Sequence, residues 1–215
     1  MRESYRTLAG PCRHEIDKVK GSRFLGLAAP ARDEAEAQAL LLAARREFHD
    51  ARHHCSAWRL GAGGEVFRWS DDGEPSGSAG RPLLAALEGR ELVDAAVVVV
   101  RWFGGTKLGV GGLVRAYGEA AAAVLDRAPQ ELVTLRRRFE LLHAYELSGP
   151  VAALLAEFEL APVEAEYGAR VRLVVELPLA RCEAFLAAHT ERTAGRGELR
   201  EVAPGGRLAD DPGPG

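Results

Sequence analysis

The sequence predicts an α+β protein built from two domains. Three observations carry that expectation. The chain has 215 residues, a length suited to one large domain or two small ones. Strand-like and helix-like segments are interleaved throughout, with one run of four consecutive valines, Val97–Val100. The pattern then changes at Pro129-Gln130, beyond which the order of elements becomes strand, helix, strand, strand, helix, strand.

The elements follow from periodicity. After a polar lead-in, Ser22–Ala29 is a candidate strand. Asp33 can cap a helix in which Ala37, Leu41, Ala44 and Phe48 recur at helical spacing. His53–Leu60 alternates in part, and Gly61–Gly64 turns it into Val66–Trp69 as a hairpin. Arg81-Pro82 opens a second helix with Gly89 just past its end. Asp94–Phe103, with its valine run, reads as a central strand buried on both faces. A glycine loop leads into a helix with Leu113, Tyr117, Ala120 and Val124 on one stripe.

Beyond Pro129 the spans are Leu132–Tyr145 (strand), Gly149–Phe158 (helix), Pro162–Tyr167 and Ala169–Leu177 (strands), Ala180–His189 (helix) and Gly197–Val202 (strand). That βαββαβ order is the ferredoxin-like sandwich, two helices on one antiparallel sheet. The expected domains are residues 1–128 and 129–204, followed by a disordered Gly/Pro/Asp tail over 205–215.

Composition excludes several classes. With 47% apolar and 27% charged residues the chain is not disordered as a whole. No apolar run approaches the ~18 residues of a membrane span, and the polar N-terminus lacks the core of a secretory signal, so a cytoplasmic, membrane-free protein is expected. Cys12, Cys55 and Cys182 are odd in number and far apart, which fits neither a disulfide framework nor a structural zinc site. Only Lys18, Lys20 and Lys107 of the 28 basic residues are lysines, so Lys107 carries more information than any single arginine.

Chemistry concentrates in the middle, where 13 of the 24 glycines fall within residues 61–118. The loop SDDGEPSGSAG brings Asp71, Asp72 and Glu74 within four residues of one another and adds the hydroxyls of Ser76 and Ser78. Clustered carboxylates can hold a hard cation or act as acid and base; equally, they can be a solvated turn whose side chains bond their own backbone. A second loop, RWFGGTKLGVGG, leaves the valine strand and enters a helix, where exposed amides and the helix dipole can hold an anion. Arg101, Phe103, Gly104, Gly105, Lys107 and Gly109 belong to it, and Arg115 follows one turn on. Neither a Walker loop nor a dinucleotide fingerprint is completed. His49, Asp50, His53, His54 and Cys55 invite a metal, but strand alternation points His53 and His54 to opposite faces, and no metal ligand or cofactor is assigned. Trp58, Trp69, Trp102 and Phe103 lie beside arginines; base stacking is one reading, burial in the core the other, and only Arg101 and Phe103 are kept as site residues.

At these residues the chain resembles the IMPACT (imprinted ancient) family, in particular its bacterial YigZ-like members. The matching blocks are KGSRFLG at Lys20–Gly26, DARHHCSAWRLG at Asp50–Gly61, RWSDDGEPSGSAGRPLL at Arg68–Leu84 and VVVVRWFGGTKLGVGGLVRAYGEAA at Val97–Ala121. The resemblance implies a first domain like the second domain of small-subunit ribosomal protein five, and a second like the fifth domain of elongation factor G. It also implies a link to translation regulation through RNA or ribosome binding, without an established catalytic activity. Eukaryotic members carry a further N-terminal partner-binding domain through which they control an initiation-factor kinase pathway, and with about twenty residues before Lys20 that role is not carried over.

The expected function is therefore a non-enzymatic protein that contacts RNA or the ribosome through the two loops, with His53 and His54 approaching from a neighbouring strand. The alternative is a metal-assisted hydrolase or phosphotransfer enzyme using Asp71, Asp72 and Glu74; a purely protein partner is a third. A formal net charge of −3 argues for weak, salt-sensitive nucleic-acid contact at most.

Overall fold

The structure, a computed structural model, describes residues 3–202; the segment expected to be a disordered tail, 205–215, lies outside them. The chain divides into two compact units that meet between Val133 and Thr134.

In chain order the first unit contains β1 (Ser4–Leu8), β2 (Cys12–Glu15), β3 (Arg23–Pro30), α1 (Glu34–Glu47), β4 (His53–Leu60), β5 (Val66–Ser70), α2 (Gly80–Glu88), β6 (Ala95–Trp102), α3 (Val110–Arg127) and β7 (Gln130–Thr134). Five strands form one sheet in the order β2-β3-β6-β4-β5, and β1 pairs with β7 separately. The valine strand β6 is central, as its composition demands. Val97 and Val99 pack with α2 and α3, whereas Val98 and Val100 pack with α1. The sheet is thus a middle layer with one helix on one face and two on the other, and residue parity on each strand decides which helix a side chain meets.

Local signals explain the helix ends. The Asp33 carboxylate accepts from the Glu36 amide at 2.8 Å and caps α1. At the far end of α2 the Gly89 amide donates to the Ala85 carbonyl at 2.9 Å. Strands β1 and β2 were not expected in the polar lead-in. Both are short, and β2 is an outer strand whose residues alternate half-buried and exposed, so neither carries the apolar signature of a core strand.

The second unit contains β8 (Arg136–His143), α4 (Ser148–Glu157), β9 (Glu164–Tyr167), β10 (Val171–Pro178), α5 (Cys182–Thr193) and β11 (Glu198–Val202). Its sheet runs β11-β8-β10-β9 with every pairing antiparallel, which is the ferredoxin-like order. Phe139, Leu141, Leu173, Val175 and Leu177 line the covered face against Val151 and Leu154 of α4, Phe158 just past its end, and Phe185 of α5. The single strand expected over Leu132–Tyr145 is in fact two. β7 pairs with β1 and β8 with β10 and β11, and the Leu135 carbonyl between them accepts from the Leu179 amide at 2.9 Å. No glycine or proline marks that break, so the alternation reads as continuous.

Candidate functional site

The polar loop between β5 and α2 is held by its own carboxylates, each with a separate task. Asp71 accepts the Gly77 amide on Oδ2 at 2.8 Å, and the Ala79 and Gly80 amides on Oδ1 at 2.9 and 2.8 Å. These are donors that α2 would otherwise leave unsatisfied, so Asp71 caps that helix from nine residues upstream of Gly80. Asp72 turns the other way: Oδ1 meets Arg45 at 2.7 Å and Oδ2 accepts the His54 amide at 2.7 Å. Ser78 donates to the Pro75 carbonyl at 2.6 Å, and Ser76 is exposed.

Glu74 points into the protein. Its side chain is 4% exposed, and Oε1 receives Arg101 at 2.6 Å and the Tyr117 hydroxyl at 2.7 Å. Arg101 is itself 6% exposed at the side chain and donates onward to Ser22 Oγ at 3.3 Å. Its guanidinium carbon lies 5.5 Å from the Phe24 ring centroid and 5.7 Å from that of the exposed Phe103, which roofs the pair. A desolvated ion pair of this kind is held by its geometry and its extra donors, and removing one member leaves an uncompensated charge. His53 borders it. Its Nδ1 donates to the Asp72 carbonyl at 2.8 Å, which fixes the tautomer, and Nε2 stands 3.8 Å from Glu74 Oε1. Burial pushes the Cys55 thiol and the Tyr117 hydroxyl upward, so both stay protonated and neither supplies a nucleophile.

The glycine loop is built differently. Gly104 touches the β2–β3 turn so closely that a Cβ on it would overlap the Gly21 carbonyl carbon, and Ser22 Oγ accepts the Gly104 amide at 3.2 Å. Gly109 precedes α3 with φ +73°, a conformation costly for side chains other than glycine's. No side chain among the described residues caps α3. Around Gly105, Gly109 and Gly111 there is open space, with nothing within 4 Å of where a Cβ would stand. Lys107 in the loop and Val110 and Arg115 in the first two turns of α3 are exposed.

Several expectations are corrected by this geometry. Arg101 does not face solvent as a phosphate ligand; its charge is engaged by Glu74. His54 is buried on the α1 side of the sheet, where Nε2 meets the Phe48 carbonyl at 3.1 Å; it meets the polar loop through Asp72, whose Oδ2 accepts its amide at 2.7 Å and lies 3.9 Å from Nδ1, so its ring is not an exposed ligand. Asp71, Asp72 and Glu74 diverge instead of converging on a cation, and among the described residues no group of three His, Cys, Asp or Glu side chains could hold a metal ion. The exposed part of the candidate site reduces to Phe103, Gly104, Gly105, Lys107, Gly109 and Arg115, with His53 at its border. Tyr117 and Ser22 were missed as site residues. Tyr117 sat on an apolar helical stripe, and Ser22 lies 79 residues from Arg101.

The comparisons agree with this organisation. Residues 20–125 match the Impact N-terminal domain family, and residues 144–196 match a domain of unknown function, DUF1949. The chain is 36% identical over 190 residues to the IMPACT family member YigZ of Escherichia coli, covering 87% of this chain and 92% of that one. It is 34% identical over 204 residues to the IMPACT family member YvyE of Bacillus subtilis, covering 94% and 92%. The crystal structure of a hypothetical protein superposes with a TM-score of 0.68 at 34% identity, covering 95% of this chain and all of that one. With 36% and 34% identity and near-complete coverage of both relatives, this chain belongs to the IMPACT family.

Proposed function

We propose that the protein is a non-enzymatic binding protein linked to translation regulation, which contacts RNA or the ribosome through the glycine-loop face of its first unit. The observation that carries this reading is the open start of α3. Its first amides have no side-chain cap among the described residues, the space around Gly109 and Gly111 is open, and Lys107 and Arg115 are exposed in the loop and the second turn. Free helix-terminal amides with adjacent cations suit a phosphate oxygen. Lys20, on the turn that packs against Gly104, brings a third cation to the same end of the sheet.

The net charge of −3 keeps such contact weak and salt-sensitive. No helix among the described residues is long and apolar enough to cross a membrane, in keeping with a cytoplasmic setting for this activity. The carboxylate-based hydrolase or phosphotransfer reading lacks support because Asp71, Asp72 and Glu74 are each engaged by the protein itself. Co-sedimentation with ribosomes from a cell extract tests the proposal. Wild type travels with ribosomes at low salt and is released at high salt, and Lys107→Ala is released at both. Absence of wild type from the ribosome fraction at low salt refutes it.

A further inference from the structure

Strand β5 is an outer strand of the five-stranded sheet, and all five of its residues are exposed. The β4–β5 register sets Phe67 opposite Arg59 and Trp69 opposite Ala57, on the sheet face that α2 and α3 cover. The cover reaches Trp69 only with the first turn of α2, where a Cβ on Gly80 would stand 2.8 Å from Trp69 Cδ1, and leaves both rings partly open. Phe67 is 51% exposed and Trp69 38%, their rings lie within 9° of parallel, and their centroids are 6.4 Å apart. That spacing is about twice the ~3.4 Å rise per nucleotide of a stacked strand, which suits one ring to every second base. Arg81, in the first turn of α2, sets its guanidinium carbon 5.4 Å from the Trp69 centroid. It is exposed, and no carboxylate pairs with it among the described residues, whereas its neighbour Arg68 is 3.5 Å from Glu34.

Two bare rings on a strand edge would suit another protein. The unpaired guanidinium stacked on one of them adds a cation where a base's phosphate would lie, and β5 runs through Ser70 directly into the polar loop. We infer that Phe67, Trp69 and Arg81 form a stacking platform for unpaired bases of an RNA strand. The inference rests on the RNA-contact reading above and adds the class of RNA: single-stranded, with bases on β5.

The test uses the whole protein and a fluorescent, mixed-sequence RNA of ~12 nucleotides, as a single strand and as a duplex, read by anisotropy across a salt series. The strand binds more tightly than the duplex. Trp69→Ala weakens it at least about fivefold, the low end for loss of one base–aromatic stack, without changing the salt slope. Trp69→Phe binds like wild type but loses most of the quenching of tryptophan fluorescence on RNA addition. Arg81→Ala weakens binding and flattens the slope, as loss of a phosphate contact requires.

Equal affinity for strand and duplex overturns the platform. So does wild-type affinity in both Trp69→Ala and Phe67→Ala. Binding that falls with Lys107→Ala but not with Trp69→Ala overturns the platform and leaves the loop reading standing; the reverse pattern keeps the platform and overturns the loop contact. No strand binding, with self-association lost in Trp69→Ala, also overturns it and makes β5 a protein interface.

Discussion

Two helices, α2 and α3, begin after glycine-containing loops in the first unit, and they treat the same electrostatic problem in opposite ways. Each start presents unsatisfied amides and the positive end of a helix dipole. At α2 the protein supplies the anion itself: Asp71 accepts three loop and helix amides, and Ala79 and Gly80 are buried. At α3 nothing is supplied, and the glycines leave the amides open to solvent. Both loops are glycine-rich, so glycine content does not separate a structural turn from a binding turn. What separates them is whether a carboxylate of the same chain already occupies the helix end.

Predictions can break or sharpen this contrast. The largest effect belongs to Glu74→Ala, which strands the buried Arg101 without its counter-charge and cuts the polar loop from the sheet. A loss of about 3–5 kcal/mol in urea-unfolding free energy is expected for the first unit. A loss under about 1 kcal/mol would mean that Arg101 finds solvent easily and is not committed to the interior. Asp71→Ala comes next. It removes the cap of α2 and leaves buried amides unpaired, for about 2–3 kcal/mol, and Asp71→Asn recovers part of the loss because it keeps an acceptor oxygen.

A smaller change makes α3 resemble α2. Val110→Asp places a carboxylate in the exposed first turn of α3, which should raise stability by about 0.3–1 kcal/mol while weakening ribosome co-sedimentation. Stability and binding moving in the same direction would remove the distinction between the two helix ends. Lys107→Ala is expected to leave stability within about 0.5 kcal/mol of wild type, because Lys107 is exposed and pairs with no carboxylate among the described residues; its effect is confined to binding.

Acid titration supplies a slope that all of these variants should share. In the second unit, burial holds the His189 imidazole below its ordinary value of 6.5, with a smaller contribution from His143. The unfolded chain therefore binds that proton first. Stability is complete above about 6.5 and falls as the pH drops toward the lowered folded value. His189→Phe should flatten that slope, whereas the substitutions in the first unit should not.

Local spacing made much of the fold legible. The Asp33 cap, the valine strand buried on both faces and the ferredoxin-like order beyond Pro129 all follow from side chains within a few residues of one another, and those intervals are covalent. The same parity placed His53 and His54 on opposite faces. The break at Leu135 was not legible, because it depends on which distant strand each half pairs with. Alternation left Trp69 between burial in the core and base stacking; on an outer strand only the first turn of α2 reaches it, leaving it 38% exposed, and no pattern within the strand records that.

The sequence by itself determined the helices, most strands, the family and the two loops in which chemistry is concentrated. Only the tertiary structure decided the direction of each charge. Arg101 and Glu74 lie 27 residues apart, Arg45 and Asp72 likewise, and each side chain carries the same formal charge whether it faces solvent or a partner. Pairing is a long-range outcome of packing, since a buried charge is tolerable only where the fold brings its counter-charge within hydrogen-bond distance. Lys107 and the amides of α3 remain open for the complementary reason: the fold brings no acid to them.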